Sequence, residues 1–143
     1  MNRPRTLIIG AILATSALVV GCSSAAAPST GPTVMAASVG SAGTLVVAGS
    51  NGMTVYQFSK DVAGSGTSAC TGGCITKWPA LTVPAGTTPT AGTGATGVIG
   101  TITRSDNSAL QVTYNGLPLY FFSGDKAVGD SNGIYTGWSG VKP

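Results

Sequence analysis

Few of the 143 residues are equipped for acid–base or nucleophilic chemistry. The chain has no histidine and no glutamate, and its four acidic residues are Asp61, Asp106, Asp125 and Asp130. Without an imidazole, no Ser-His or Cys-His nucleophile can be assembled. A carboxylate pair such as Asp61 with Asp125 could do acid–base work only if two distant stretches faced each other. Asp125, Asp130 and Asn132 share a Gly-rich turn and offer oxygens to Ca²⁺, but the spacing of a calcium-binding loop is absent. Neither a metal nor a cofactor is expected, and the chain reads as no enzyme. Three cysteines, Cys22, Cys70 and Cys74, leave one thiol over in any pairing. Cys70-Thr-Gly-Gly-Cys74 differs from a CxxC redox pair in its three intervening residues, with no helix signal behind it and no histidine nearby. A structural clip is the favoured reading, because Gly72-Gly73 let the chain fold back until the two Cα atoms are ~5–6 Å apart.

The aromatic residues are the more telling set, because they repeat. SNGMTVYQFSKD (50–61) returns 64 residues later as YNGLPLYFFSGD (114–125). Asn51-Gly52 aligns with Asn115-Gly116, Tyr56 with Tyr120, Phe58 with Phe122 and Asp61 with Asp125. With Trp78 and Trp138, these aromatics admit two readings. They form a stacking platform for a flat or sugar-like ligand, or each Trp folds back over its own unit's Tyr and Phe to make a second small core. The core is the expectation, since a small charge-poor domain needs its large aromatics for burial. Asp61 and Asp125 are then expected to close the strand by accepting backbone N–H bonds.

Elements must hold these residues in place. Asn-Gly between apolar runs marks a β-hairpin, since a type I′ turn needs positive φ at both central residues. First strands are expected at 33–39 and 98–104, second strands at 44–49 and 109–114, and possible fourth strands near Trp78 and Trp138. Each unit is thus a three-stranded meander. At the same offset of 64, Val34 aligns with Val98, Val39 with Thr103 and Ser41 with Ser105. A two-residue turn would set Val47 opposite Tyr56, Leu45 opposite Phe58 and Gln111 opposite Tyr120. Alternation then puts Leu110, Val112, Tyr114, Leu117, Leu119 and Phe121 on a core face, with Ala109, Gln111, Thr113, Pro118, Tyr120 and Phe122 on a mixed one. Residues 85–97 are low in complexity and read as a mobile surface connection without an apolar anchor. No segment after the first 20 residues keeps a 3.6 period, so helices should be short or absent.

The start of the chain reads as an address. Asn2-Arg3-Pro4-Arg5 is a basic head, and residues 7–20 are an apolar run shorter than the ~20 a bilayer span needs. Val19-Val20-Gly21-Cys22 resembles the lipobox of bacterial lipoproteins. That resemblance implies cleavage before Cys22 and a diacylglyceryl group on its sulfur. With Cys22 so assigned, Cys70 and Cys74 remain to pair, oxidised outside the cytoplasm. Residues 23–32 (SSAAAPSTGP) read as a flexible tether. Loss of Arg3 and Arg5 leaves five basic residues against four acidic, so the pI near 8.9 gives no support for nucleic-acid binding.

The chain also resembles the bacterial lipoprotein family known by its Yx(F/W/Y)xxD motif, a secreted repeat of unknown function. Gly52 to Phe58, Asp61, Cys70, Cys74 and Trp78-Pro79-Ala80-Leu81 carry the resemblance in the first copy. Arg104, Asp106, Gln111 to Gly116, Pro118-Leu119-Tyr120, Phe122, Asp125, Gly129-Asp130, Gly133 and Trp138 carry it in the second. Ala80 departs from a common second proline, and the spacer is unusually rich in Gly and Thr. The resemblance implies fold and address but no activity.

The expected architecture is all-β, two antiparallel β-meander repeats forming a small sandwich or barrel. Residues 1–21 are the signal peptide, 22–32 the lipidated cysteine and tether, and 33–143 the domain. Its repeats span 33–84 and 98–143, joined by 85–97. The expected role is a non-catalytic binding or envelope-structural module, held on the extracytoplasmic face of the cell membrane. Its partner would be the membrane itself and an unidentified small molecule or envelope protein, with no nucleic acid. The competing reading is an accessory of extracytoplasmic redox or electron transfer using Cys70 and Cys74.

Overall fold

The computed structural model describes residues 31–143. The expected signal peptide, Cys22 and the tether through residue 30 lie outside the described residues. Eight strands follow in order: β1 (Val34–Val39), β2 (Gly43–Ala48), β3 (Tyr56–Phe58), β4 (Thr82–Val83), β5 (Ile99–Thr103), β6 (Leu110–Tyr114), β7 (Leu117–Pro118) and β8 (Trp138–Gly140). One short helix, α1 (Gly73–Lys77), lies between β3 and β4. The fold is an all-β small sandwich of antiparallel sheets. They are open, so the barrel alternative is not realised among the described residues.

The apolar runs before each motif become strand pairs because they alternate and lack proline. β1 pairs with β2, Val34 opposite Ala48, and β5 pairs with β6, Ile99 opposite Tyr114. β2 and β6 are the inner strands, and Leu45 to Ala48 and Gln111 to Tyr114 are all buried. Most of the face expected as core packs inward: Val112, Tyr114 and Leu119 join Val34, Val46, Val55, Leu81 and Val141 in the central cluster, with Phe121 against it, while Leu110 and Leu117 are half-buried. The face expected as mixed is covered as well, with Gln111, Thr113 and Tyr120 buried.

The two hairpins differ. In the second, Asn115 (φ 51°) and Gly116 (φ 80°) make the expected two-residue turn, with Tyr114 opposite Leu117. In the first, only Gly52 has positive φ (70°), and the Asn51 side chain accepts the Met53 amide. The loop widens by two residues, so Val47 pairs with Thr54 rather than with Tyr56, and Leu45 does not face Phe58. The 64-residue offset therefore holds after the turns but not before them. Val46 matches Val112, since the Val55 amide bonds to the Val46 carbonyl as the Leu119 amide bonds to that of Val112.

The units are not self-contained meanders. β3 pairs with β8, Phe58 opposite Trp138, and β4 pairs with β6, Thr82 opposite Gln111. Each repeat thus sends its last strand to the other repeat's sheet. The Leu81 amide bonds to Leu119 and its carbonyl takes the Val112 amide, while Val141 does the same with Val55 and Val46.

The connection 85–97 is not an unanchored loop. Ala95 is buried in the central cluster, and residues 90–93 run beside β1 with Val34 N to Thr90 O, Gly92 N to Val34 O and Ala36 N to Thr93 O bonds. A cavity of about 140 Å³ lies where the described chain begins, between Pro32, Leu81, Val83 and Pro84, with no charged residue lining it. It is separate from the motif residues.

Candidate functional site: the paired aromatic motifs

The two motifs meet across a local twofold. Tyr56 N donates to Tyr120 O at 2.8 Å and Tyr120 N to Tyr56 O at 3.0 Å, so the equivalent residues face each other. Both tyrosine side chains are fully buried. Tyr56 Oη donates to Asp125 Oδ2 at 2.5 Å, and Tyr120 Oη donates to Asp61 Oδ2 at 2.7 Å. Each motif's tyrosine is therefore satisfied by the other motif's aspartate, an arrangement that only two repeats together can make.

The aspartates collect further donors. Asp61 Oδ1 accepts the Ala69 amide at 2.7 Å, and Asp125 Oδ1 accepts the Asn132 amide at 3.0 Å and its Nδ2 at 3.2 Å. These amides lie in the loops that follow, so each carboxylate pins a returning loop as well as a partner tyrosine. The expectation of backbone N–H acceptance holds in kind, and the cross-repeat tyrosine bond is the part it lacked. Burial and the adjacent carboxylate both push each tyrosine hydroxyl well above its ordinary range, since a phenolate there would be desolvated beside a negative charge. Gly133 has to be glycine, because a Cβ there would sit 2.8 Å from the Tyr56 ring and 2.9 Å from Trp78.

The tryptophans close the site as a core. Trp78 and Trp138 stack on each other with ring centroids 3.6 Å apart and planes within 3°. The expectation that each covers its own repeat's Tyr and Phe is half right. Trp78 meets its own Tyr56 edge-on at 5.4 Å but packs on Phe122 of the other repeat at 4.7 Å. Trp138 meets its own Tyr120 edge-on at 5.1 Å and stacks on Phe58 of the other repeat at 4.3 Å. The exchange of last strands explains this, since β8 pairs with β3 and sets Trp138 opposite Phe58. Both indoles are buried, while Phe58 and Phe122 are half-buried.

Cys70 and Cys74 are joined by a disulfide with Cα atoms 5.2 Å apart. Cys74 lies in the first turn of α1, a helix with no periodic signal in the sequence, and the Trp78 amide caps that helix on the Cys74 carbonyl at 2.9 Å. The clip thus sets the position of Trp78.

One buried network had no assigned role in the sequence reading. Arg104 Nε and Nη2 bond both oxygens of Asp106 (2.9 and 2.6 Å). Nη1 donates to Gln111 Oε1 (2.6 Å) and Ser68 Oγ (3.1 Å), and Nη2 to the Cys70 carbonyl (2.9 Å). Ser68 Oγ also meets Tyr120 Oη at 2.7 Å, so the network reaches the motif. The Arg104 guanidinium holds the Asp106 carboxyl below its ordinary range. The register places Val39 and Leu45 at the matching positions of the first repeat, where they form an apolar cluster with Val47. The signal available in the sequence was Arg104 two residues before Asp106 and Gln111 inside an apolar strand.

The Ca²⁺ candidates are consumed. Asp125 is occupied as described, and Asp130 Oδ2 accepts the amides of Lys126 and Ala127, which lower its carboxyl's affinity for a proton. No cluster of three or more His, Cys, Asp or Glu side chains occurs among the described residues. No helix among the described residues is long and apolar enough to cross a membrane.

Comparison with known proteins gives one match in kind. No curated protein and no solved structure matches the chain. The family described as a secreted repeat of unknown function matches it twice, over residues 37–82 and 100–141, and the chain belongs to that family.

Proposed function

We propose that this chain is a lipid-anchored, extracytoplasmic module that acts by binding or scaffolding and not by catalysis. The observation that carries the reading is the reciprocal pairing of Tyr56 with Asp125 and Tyr120 with Asp61. The groups that looked most reactive in the sequence hold the two repeats together, and their aromatic neighbours bury one another. What supports the anchor is the lipobox-like VVGC and the cysteine count: Cys70 and Cys74 pair with each other, leaving Cys22. Membership of a secreted family agrees with that address.

The test is detergent-phase partitioning of the full chain expressed in a bacterial host. Wild type should enter the detergent phase, and Cys22→Ser should move it to the aqueous phase. A wild-type chain recovered in water, cleaved at another site, would overturn the anchor.

A further inference from the structure

Repeat symmetry exposes an unequal treatment of two strand edges. In β1, Met35, Ala37 and Val39 turn their backbone groups toward β2, as does the carbonyl of the preceding Thr33, leaving those of Val34, Ala36 and Ser38 on the outer edge. Residues 90–93 cover that edge, bonding Val34 N, Val34 O and Ala36 N. In β5, the Val98 carbonyl takes the Asn115 amide and the Arg104 amide reaches Ala109 O, so the even-numbered residues face β6. The backbone groups of Ile99, Thr101 and Thr103 therefore point outward, and no described residue bonds them. These are the counterparts of Val34, Ala36 and Ser38.

An exposed edge is normally blunted by lysine, proline, a bulge or a covering segment. The stretch VIGTIT (98–103) has no charge and no proline, and its pairing with β6 runs without a bulge from Ile99 to Thr103. Val98 at its start is 76% exposed, and Thr101 and Thr103 are exposed.

We propose that β5 is the docking edge for a second copy of this chain, antiparallel and centred on Thr101. An antiparallel edge is self-complementary, so one patch serves both copies, as a twofold interface requires. Centred there, Ile99 of one copy faces Thr103 of the other and Thr101 faces Thr101. About six backbone hydrogen bonds form. Charge favours this occupant, because no ionised side chain lines the edge. Arg104 is turned inward onto Asp106, and the Asp106 of each copy falls opposite the uncharged residue 96 of the other. The two sheets would then run on as one, from β4 of one copy to β4 of the other.

The test uses the full chain carrying Cys22→Ser, which leaves no native thiol free and makes the result independent of anchoring. Sedimentation over a wide concentration range should show a species of about twice the monomer mass. Thr101→Lys should return it to monomer, with a melting temperature equal to that of the parent chain at dilutions where both are monomeric. Thr101→Cys should give a disulfide-linked dimer under mild oxidation, and Val62→Cys, at a position 67% exposed, should not. A monomer at every concentration would overturn the proposal. So would a dimer indifferent to Thr101→Lys, or Thr101→Cys linked to a species of different mass.

Discussion

A tyrosine that donates to a buried carboxylate ties its own protonation to the folded state. Tyr56 and Tyr120 are fully buried and their hydroxyls are held above the ordinary value of 10.0. The sign of the effect follows from linkage. The unfolded chain releases these protons near pH 10, while the folded chain keeps them, so the stabilisation is complete below that pH and lost as pH rises above it. Each tyrosine should cost about 1.4 kcal/mol of stability per pH unit in that window. Thermal melts from pH 8 to 12 should show a fall beginning near pH 10, made shallower by Tyr56→Phe or Tyr120→Phe. A melting temperature flat to pH 12 would mean that neither hydroxyl is locked. At this scale the sequence was informative about kind and blind to partner. Tyr-x-Phe-x-x-Asp named the residues, but nothing in the spacing says that Tyr56 seeks Asp125 instead of its neighbour Asp61.

At the scale of elements, the disulfide, α1 and Trp78 form one unit. The clip closes a short loop, which by the chain-entropy estimate stabilises by about 2 kcal/mol. Its position adds to this, because the Trp78 amide hangs on the Cys74 carbonyl and the Cys70 carbonyl takes an Arg104 donor. Cys70→Ser with Cys74→Ser should therefore lower the melting temperature without abolishing folding, and should perturb the near-ultraviolet signal of the stacked indoles. An unchanged aromatic signal would show that α1 needs no clip to place Trp78. Strand existence was legible here, since alternation located β1, β2, β5 and β6 within a residue or two. Turn width was not. Asn-Gly reads the same in both hairpins, yet Asn115 takes positive φ while Asn51 instead accepts the Met53 amide through its side chain. That local choice shifts the register upstream by two residues. The role of 90–93 was hidden for a related reason, since covering an edge calls on backbone groups and leaves no mark in side-chain pattern.

At the scale of the whole molecule, the duplication is a mutual dependency. β8 completes the first repeat and β4 the second, the indoles stack across the twofold, and the tyrosine–aspartate bonds cross it in both directions. The sequence announced two copies, but periodicity cannot say which copy a strand joins. The asymmetry between them, Arg104 and Gln111 against Val39 and Leu45, was equally invisible without the register. The central claim is that the motif clasps one repeat to the other, and a pair of double-mutant cycles read by denaturant melts tests it most directly. Tyr56→Phe combined with Asp125→Asn should show a coupling of about 1.5–3 kcal/mol, as for a buried hydrogen bond to a charged group. Tyr56→Phe combined with Asp61→Asn, which share a motif but no bond, should be additive within about 0.5 kcal/mol. Coupling in the second cycle and additivity in the first would contradict the clasp.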